Sequence, residues 1–173
     1  MRMFLMKKIS FLLFALVCIA GCSDRFSDGG TGESIAPVAL FGNGETNLVN
    51  AIDGCDLLVQ SILNENGAVQ GEDFAMVIND AGQLHERVIG ETVYSWPTID
   101  FNSYSLVVGK FCTPEMGYLL ANQHIVRTLF QVVLYLNILE ESEIHSAAPC
   151  EYCFAACYPK LPTNKVVIKR SDR

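Results

Sequence analysis

Nowhere does this chain hold the ~20 consecutive apolar residues that a membrane-spanning helix needs. Its two longest apolar stretches are "ISFLLFALVCIA", 12 residues near the N-terminus, and "IVRTLFQVVLYLNIL", 15 residues broken by Arg127, Gln131 and Asn137. Basic charge is also scarce, with 12 Lys and Arg against 19 Asp and Glu. Three of the basic residues (Arg2, Lys7 and Lys8) stand at the very start, so residues 22–173 carry nine against 19, a formal charge of −10. That stretch forms no basic patch, and nucleic-acid binding would lack the electrostatic attraction that dominates such affinity. The three histidines, His85, His124 and His145, are scattered and belong to no Ser/His/Asp motif. "GNGET" at Gly42 has neither the length nor the lysine of a phosphate loop. Two-pair CxxC zinc spacing is absent as well. No catalytic residue and no enzymatic activity are therefore expected.

What is present begins with the leader. A basic start, a 12-residue apolar run and then Ile19-Ala20-Gly21-Cys22 fit a secretory signal peptide over residues 1–21. The box resembles that of bacterial lipoproteins. The resemblance implies cleavage before Cys22, diacylglycerol and acyl groups on Cys22 as the only bound cofactor-like moiety, and a place in the cell envelope, at the outer membrane. Two or three acyl chains would anchor the protein stably, where one holds only marginally. The lipid is then the sole expected membrane contact, because an anionic surface repels an acidic domain.

"SDRFSDGGTGES" has one large apolar residue, Phe26, and reads with its flanks as a flexible tether over residues 22–35. Residues 36–173 suffice for a single domain. "APVALFG" reads as a strand, and "EDFAMVIND" more clearly so. Between them, residues 47–67 fit either a helix or two strands turning at "DGCD". Asp80 and Gln83 have capping-box spacing, and Leu84 and Val88 share a helical face, so one short helix is expected near residues 81–89. From Phe101 onward, "YSLVVGKF", "YLLANQHIVRT", "LFQVVLYLNIL", "CEYCFAACYP" and "NKVVIKR" read as strands, with a helix still open for 129–139. The fold class expected is mostly β, an antiparallel α+β domain or a β-sandwich.

The C-terminal half resembles the domain of protease-complex-stabilising lipoproteins of Gram-negative anaerobes. The pattern runs through Asp100-Phe101, a strand ending at Gly109, Pro114 with Gly117-Tyr118, and Pro159 to Pro162 before Val166-Val167-Ile168. It implies a non-enzymatic, β-rich module that binds another envelope or secreted protein, a protease among the candidates. "TPEMGY" (Thr113, Pro114, Glu115, Met116, Gly117, Tyr118) is the partner-binding loop expected. It is also similar to the loop that chagasin-type inhibitors insert into cysteine peptidases, although Thr113 replaces that family's asparagine. A plain proline–glycine hairpin turn is the structural alternative.

Cys55, Cys112, Cys150, Cys153 and Cys157 remain beyond the anchor, an odd number that leaves at least one thiol unpaired. On a helix, Cys150, Cys153 and Cys157 would share a face and, with His145, could form a zinc shell. On a strand, Cys153 and Cys157 share one face and Cys150 takes the other. Tyr152, Phe154 and Tyr158 favour the strand, so no metal is expected; a metal or redox site is the third functional alternative. A disulfide from Cys55 or Cys112 to one of the three is consistent with the spacing. Trp96 with Tyr94 could close the core or form a contact patch, and Glu140-Glu141 reads as a solvated turn.

Overall fold

Strands buried on both faces determine the architecture. The structure, a computed structural model, describes residues 32–41, 54–140 and 148–172. The leader, Cys22, the tether up to Thr31, "GNGET", Glu141 and His145 lie outside the described residues.

The strands are β1 (Glu33–Ile35), β2 (Ala39–Phe41), β3 (Phe74–Ile78), β4 (Arg87–Ile89), β5 (Thr92–Tyr94), β6 (Tyr104–Thr113), β7 (Tyr118–Arg127), β8 (Val132–Glu140), β9 (Cys150–Pro159) and β10 (Val167–Asp172). One four-stranded sheet has the order β2-β9-β6-β3 and the other β1-β7-β8-β10. Every pairing is antiparallel except β10 with β8. The described residues are thus mostly β, a sandwich with one α-helix, α1 (Cys55–Glu65).

Between the sheets, Val107, Phe111, Phe154, Ala156 and Tyr158 meet Ile125, Leu134, Leu136 and Ile138. The opposite face of the first sheet is covered by α1, where Leu106, Val108, Ala155 and Cys157 pack on Cys55, Val59, Ile62 and Leu63. The layers are therefore sheet, sheet, helix. Double-sided burial is why "SLVVGKF" reads as a continuous apolar run and not as an alternation. Gly109 does not end that strand. It lies in mid-strand opposite Phe154, and a Cβ there would run into the Phe154 ring and sit 2.8 Å from the Phe74 carbonyl oxygen.

Two further expectations change, and two readings left open resolve. The helix is at 55–65, where Cys55, Leu58, Val59, Ile62 and Leu63 form one buried stripe at helical spacing. "DGCD" is its start: Gly54, at φ 71, takes the left-handed conformation directly before Cys55. The helix expected near 81–89 shrinks to a single 3₁₀ turn, Ala81–Gln83, in which the Asp80 carboxylate accepts from the Gly82 N–H at 2.9 Å. Beyond it, Arg87–Ile89 pairs with Thr92–Tyr94 across Gly90-Glu91. Gly90 at φ 62 supplies the turn, and the β-branched Val88, Ile89, Thr92 and Val93 prefer the hairpin. Residues 33–35, expected to belong to the tether, form edge strand β1 instead, because Ile35 reaches the inter-sheet core. Residues 132–139, for which a helix was open, lie in β8.

Candidate functional site

The Thr113–Tyr118 segment joins β6 in one sheet to β7 in the other, so it is a corner between layers and not a hairpin between paired strands. Thr113 is buried and its hydroxyl donates to the Glu115 carbonyl at 2.6 Å. Gly117, at φ 97, makes the final bend, a conformation costly for other residues. Met116 is left exposed at the apex. The Thr113–Glu115 bond thus closes the first half of the expected six-residue loop, and Gly117 turns the second.

Beside this corner lies a cleft of about 400 Å³ lined by Gly71, Cys112, Pro114, Pro149, Cys150 and Glu151. Its lining Glu151 is in an ion pair: Lys110 Nζ donates to Glu151 Oε1 at 2.9 Å, and the Gly71 N–H donates to the same oxygen at 2.6 Å. The Gly71 amide, and then Lys110, hold the Glu151 carboxyl below the usual carboxylate range. The Lys110 side chain is 5% exposed and that of Glu151 27%. At the same end, Arg170 Nη1 donates to both Asp73 carboxylate oxygens at 3.2 Å and to the Cys112 carbonyl at 2.7 Å. Asp73 also accepts the Cys112 N–H at 2.8 Å, which latches β10 of one sheet onto β6 of the other. Neither Lys110–Glu151 nor Asp73–Arg170 was legible in the sequence.

The thiols divide as the strand geometry requires. Cys153 and Cys157 face α1 with Cys55, while Cys150 takes the other face of β9. All five described cysteines are free, so the disulfide considered from Cys55 or Cys112 does not form. Burial pushes the Cys55 and Cys153 thiols up to about 12 and Cys157 up to about 11, so they persist as uncharged, hydrophobe-like groups. Burial, then the Glu151 charge, raises Cys112 as well. Among the described residues, no group of three or more His, Cys, Asp or Glu could hold a metal ion.

The described histidines do not converge. His85 stands 3.8 Å from Glu65 at the end of α1. His124 stacks on Tyr135 across β7 and β8, with centroids 5.1 Å apart, on the outer face of the second sheet. Burial lowers the His124 pKa and favours the neutral ring. Trp96 packs into the core beneath α1, and the Tyr94 ring lies against Gly54, so the pair closes that core.

The opposite end of the sandwich carries a feature the sequence reading missed. Leu129 and Phe130, at the tip of the β7–β8 hairpin, are 97% and 95% exposed. The tip is ordered by Thr128. Its Oγ1 accepts the Gln131 N–H at 3.1 Å, and its N–H donates to the Gln131 carbonyl at 3.0 Å. "TLFQ" sits inside an apolar run, and only the Thr and Gln bracketing Leu129-Phe130 signal a turn. Leu129 and Phe130 also form one wall of a groove of about 680 Å³ that includes Met76, Arg127, Lys165 and Val166 and has no carboxylate among its lining residues.

Among the described residues, no helix is long and apolar enough to cross a membrane. No protein-family model matches this chain, and no curated protein or solved structure matches it either.

Proposed function

We propose that this chain is a lipid-anchored envelope module that binds another extracytoplasmic protein through the end of the sandwich farthest from its tether. One observation carries the reading. Glu33, the first residue of β1, pairs with Arg127 at one end of β7, whereas the Thr113–Tyr118 corner and its cleft lie at the other. The ten residues of β7 put about 30 Å between the two ends. A chain acylated at Cys22 would thus hold Met116 and the cleft away from the surface to which it is tethered. The corner is braced by Thr113 and Gly117, so binding there would cost little ordering entropy. A secreted or envelope protease is the partner class that the family resemblance supports.

The test is crosslinking in intact cells with the full acylated chain. Met116→Asp is expected to abolish the crosslinked species while membrane retention and thermal midpoint stay unchanged. A native chain that forms no crosslinked species, or one whose partner survives Met116→Asp, overturns the reading. The inhibitor form adds one requirement: the chain must slow a cysteine peptidase, and Gly117→Ala must relieve that inhibition.

A further inference from the structure

We infer that Leu129 and Phe130 are a second membrane contact, inserting into the interfacial region of the bilayer that carries the chain's own lipid anchor. The inference rests on the anchored reading above and assigns that anchor a docking orientation.

Three observations lead to the bilayer as the occupant. Two large apolar side chains, 97% and 95% exposed, stand on a braced hairpin tip at the rim of the groove; side chains this free of protein contact suit insertion into a soft apolar phase. The tether also arrives at this end. A Cβ on Gly32 would sit 3.3 Å from Thr128 Cγ2, so the chain emerges against the residue that precedes the tip. Cys22 is then only the short stretch 23–31 away from Gly32, a link that spans ~35 Å at most and ~17 Å on average for a flexible chain. At that average span the acyl chains and the tip meet the same patch of membrane.

Charge is the third. From residue 22 onward the chain is acidic overall, with nine Lys and Arg against 19 Asp and Glu, and most of its surface is repelled by anionic headgroups. The groove at the tip departs from this: it contains Arg127 and Lys165 and no lining carboxylate. Arg127 is paired with Glu33 on β1, which leaves Lys165 as the principal cation facing headgroup phosphates there. An apolar tip with a cation in the same groove suits the boundary between acyl chains and headgroups.

The full acylated chain is extracted, its mass measured, and the protein reconstituted into vesicles of phosphatidylethanolamine and phosphatidylglycerol carrying brominated acyl chains. Phe130→Trp and Met116→Trp are each compared with the unchanged chain, whose Trp96 supplies the background. Tryptophan at 130 is expected to lose about half of its added emission, as an interfacially inserted ring does, and tryptophan at 116 to lose none. Adding Leu129→Asp should restore the emission at 130. Because the tip is almost fully exposed, thermal midpoints should not change. An acylated chain whose residue 130 is unquenched overturns the inference and leaves the anchor reading intact, as does equal quenching at 116 and 130, which means the domain lies on its side. A mass without acyl groups overturns the anchor reading, and this inference falls with it.

Discussion

Truncating Glu151 to alanine strands a lysine. Lys110 lies on the helix-covered face of the first sheet with a side chain only 5% exposed, and Glu151 is the ion-pair partner beside it. Removing one member of a buried pair leaves an uncompensated charge, which typically costs about 3–5 kcal/mol. Glu151 is 27% exposed, so water can reach the vacated space, and the expected loss for Glu151→Ala is about 3 kcal/mol. Glu151→Gln keeps an acceptor for the Gly71 N–H and should lose about 1–2 kcal/mol. Lys110→Met removes the cation from the buried position and leaves the more exposed partner, so it should cost under about 1 kcal/mol. Combined with Glu151→Ala it should recover much of that variant's loss, a coupling of about 1–3 kcal/mol. Urea unfolding reads these differences as shifts in midpoint at constant slope.

The pH dependence follows from the same contact. The folded Glu151 carboxyl titrates below its ordinary value of 4.5, so its stabilisation is full above that value. It is lost as pH falls through the lower folded value, and the gap between native and Glu151→Gln chains should close there. A Glu151→Ala chain within about 0.5 kcal/mol of native, or a double variant that loses the sum of the two single losses, would refute the reasoning.

Two further outcomes are expected. Gly109→Ala should destabilise the sandwich by about 1–3 kcal/mol, because the new methyl meets the Phe154 ring and the Phe74 carbonyl in mid-sheet; an unchanged urea midpoint would mean that the β6–β9 packing is looser than described. Alkylation of the native chain at pH 8 should spare Cys55, Cys153 and Cys157, whose thiols titrate at about 11 to 12, and modify them only in denaturant; peptide mapping of the labelled chain reads this directly, and labelling of Cys55 in the native state would count against the helix layer.

The long strands were legible because their burial leaves a local trace. β7 alternates at its Arg127 end, while β6 and β9 are apolar on both faces, and the divergence of Cys150 from Cys153 and Cys157 follows from strand geometry alone. The helix was harder to read for a reason of phase. Its stripe at 55, 58, 59, 62 and 63 is regular, but Leu48 and Ile52 fall in the same apolar stretch, and Gly54 looks like an interior turn when it is the helix start. Asp80 does cap a turn, as its spacing suggested, but the β-branched residues on either side of Gly90-Glu91 claim the chain that would have continued it. The expected loop at 113–118 is a connection as read, yet which strands share a sheet depends on contacts far apart in sequence. For the same reason Lys110 gave no sign of Glu151, 41 residues away.

The sheet order has a consequence for synthesis. Among the described residues, β1 pairs with β7 and β2 with β9, while β3 pairs with β6 and bridges to Lys165. Each of the first three strands therefore waits for a partner made much later, and β2 has none until residues 155–157 exist. β10 then closes the second sheet from the far end of the chain, and its Arg170 reaches back to Asp73. A growing chain with this wiring can complete neither sheet until β9 and β10 have been made.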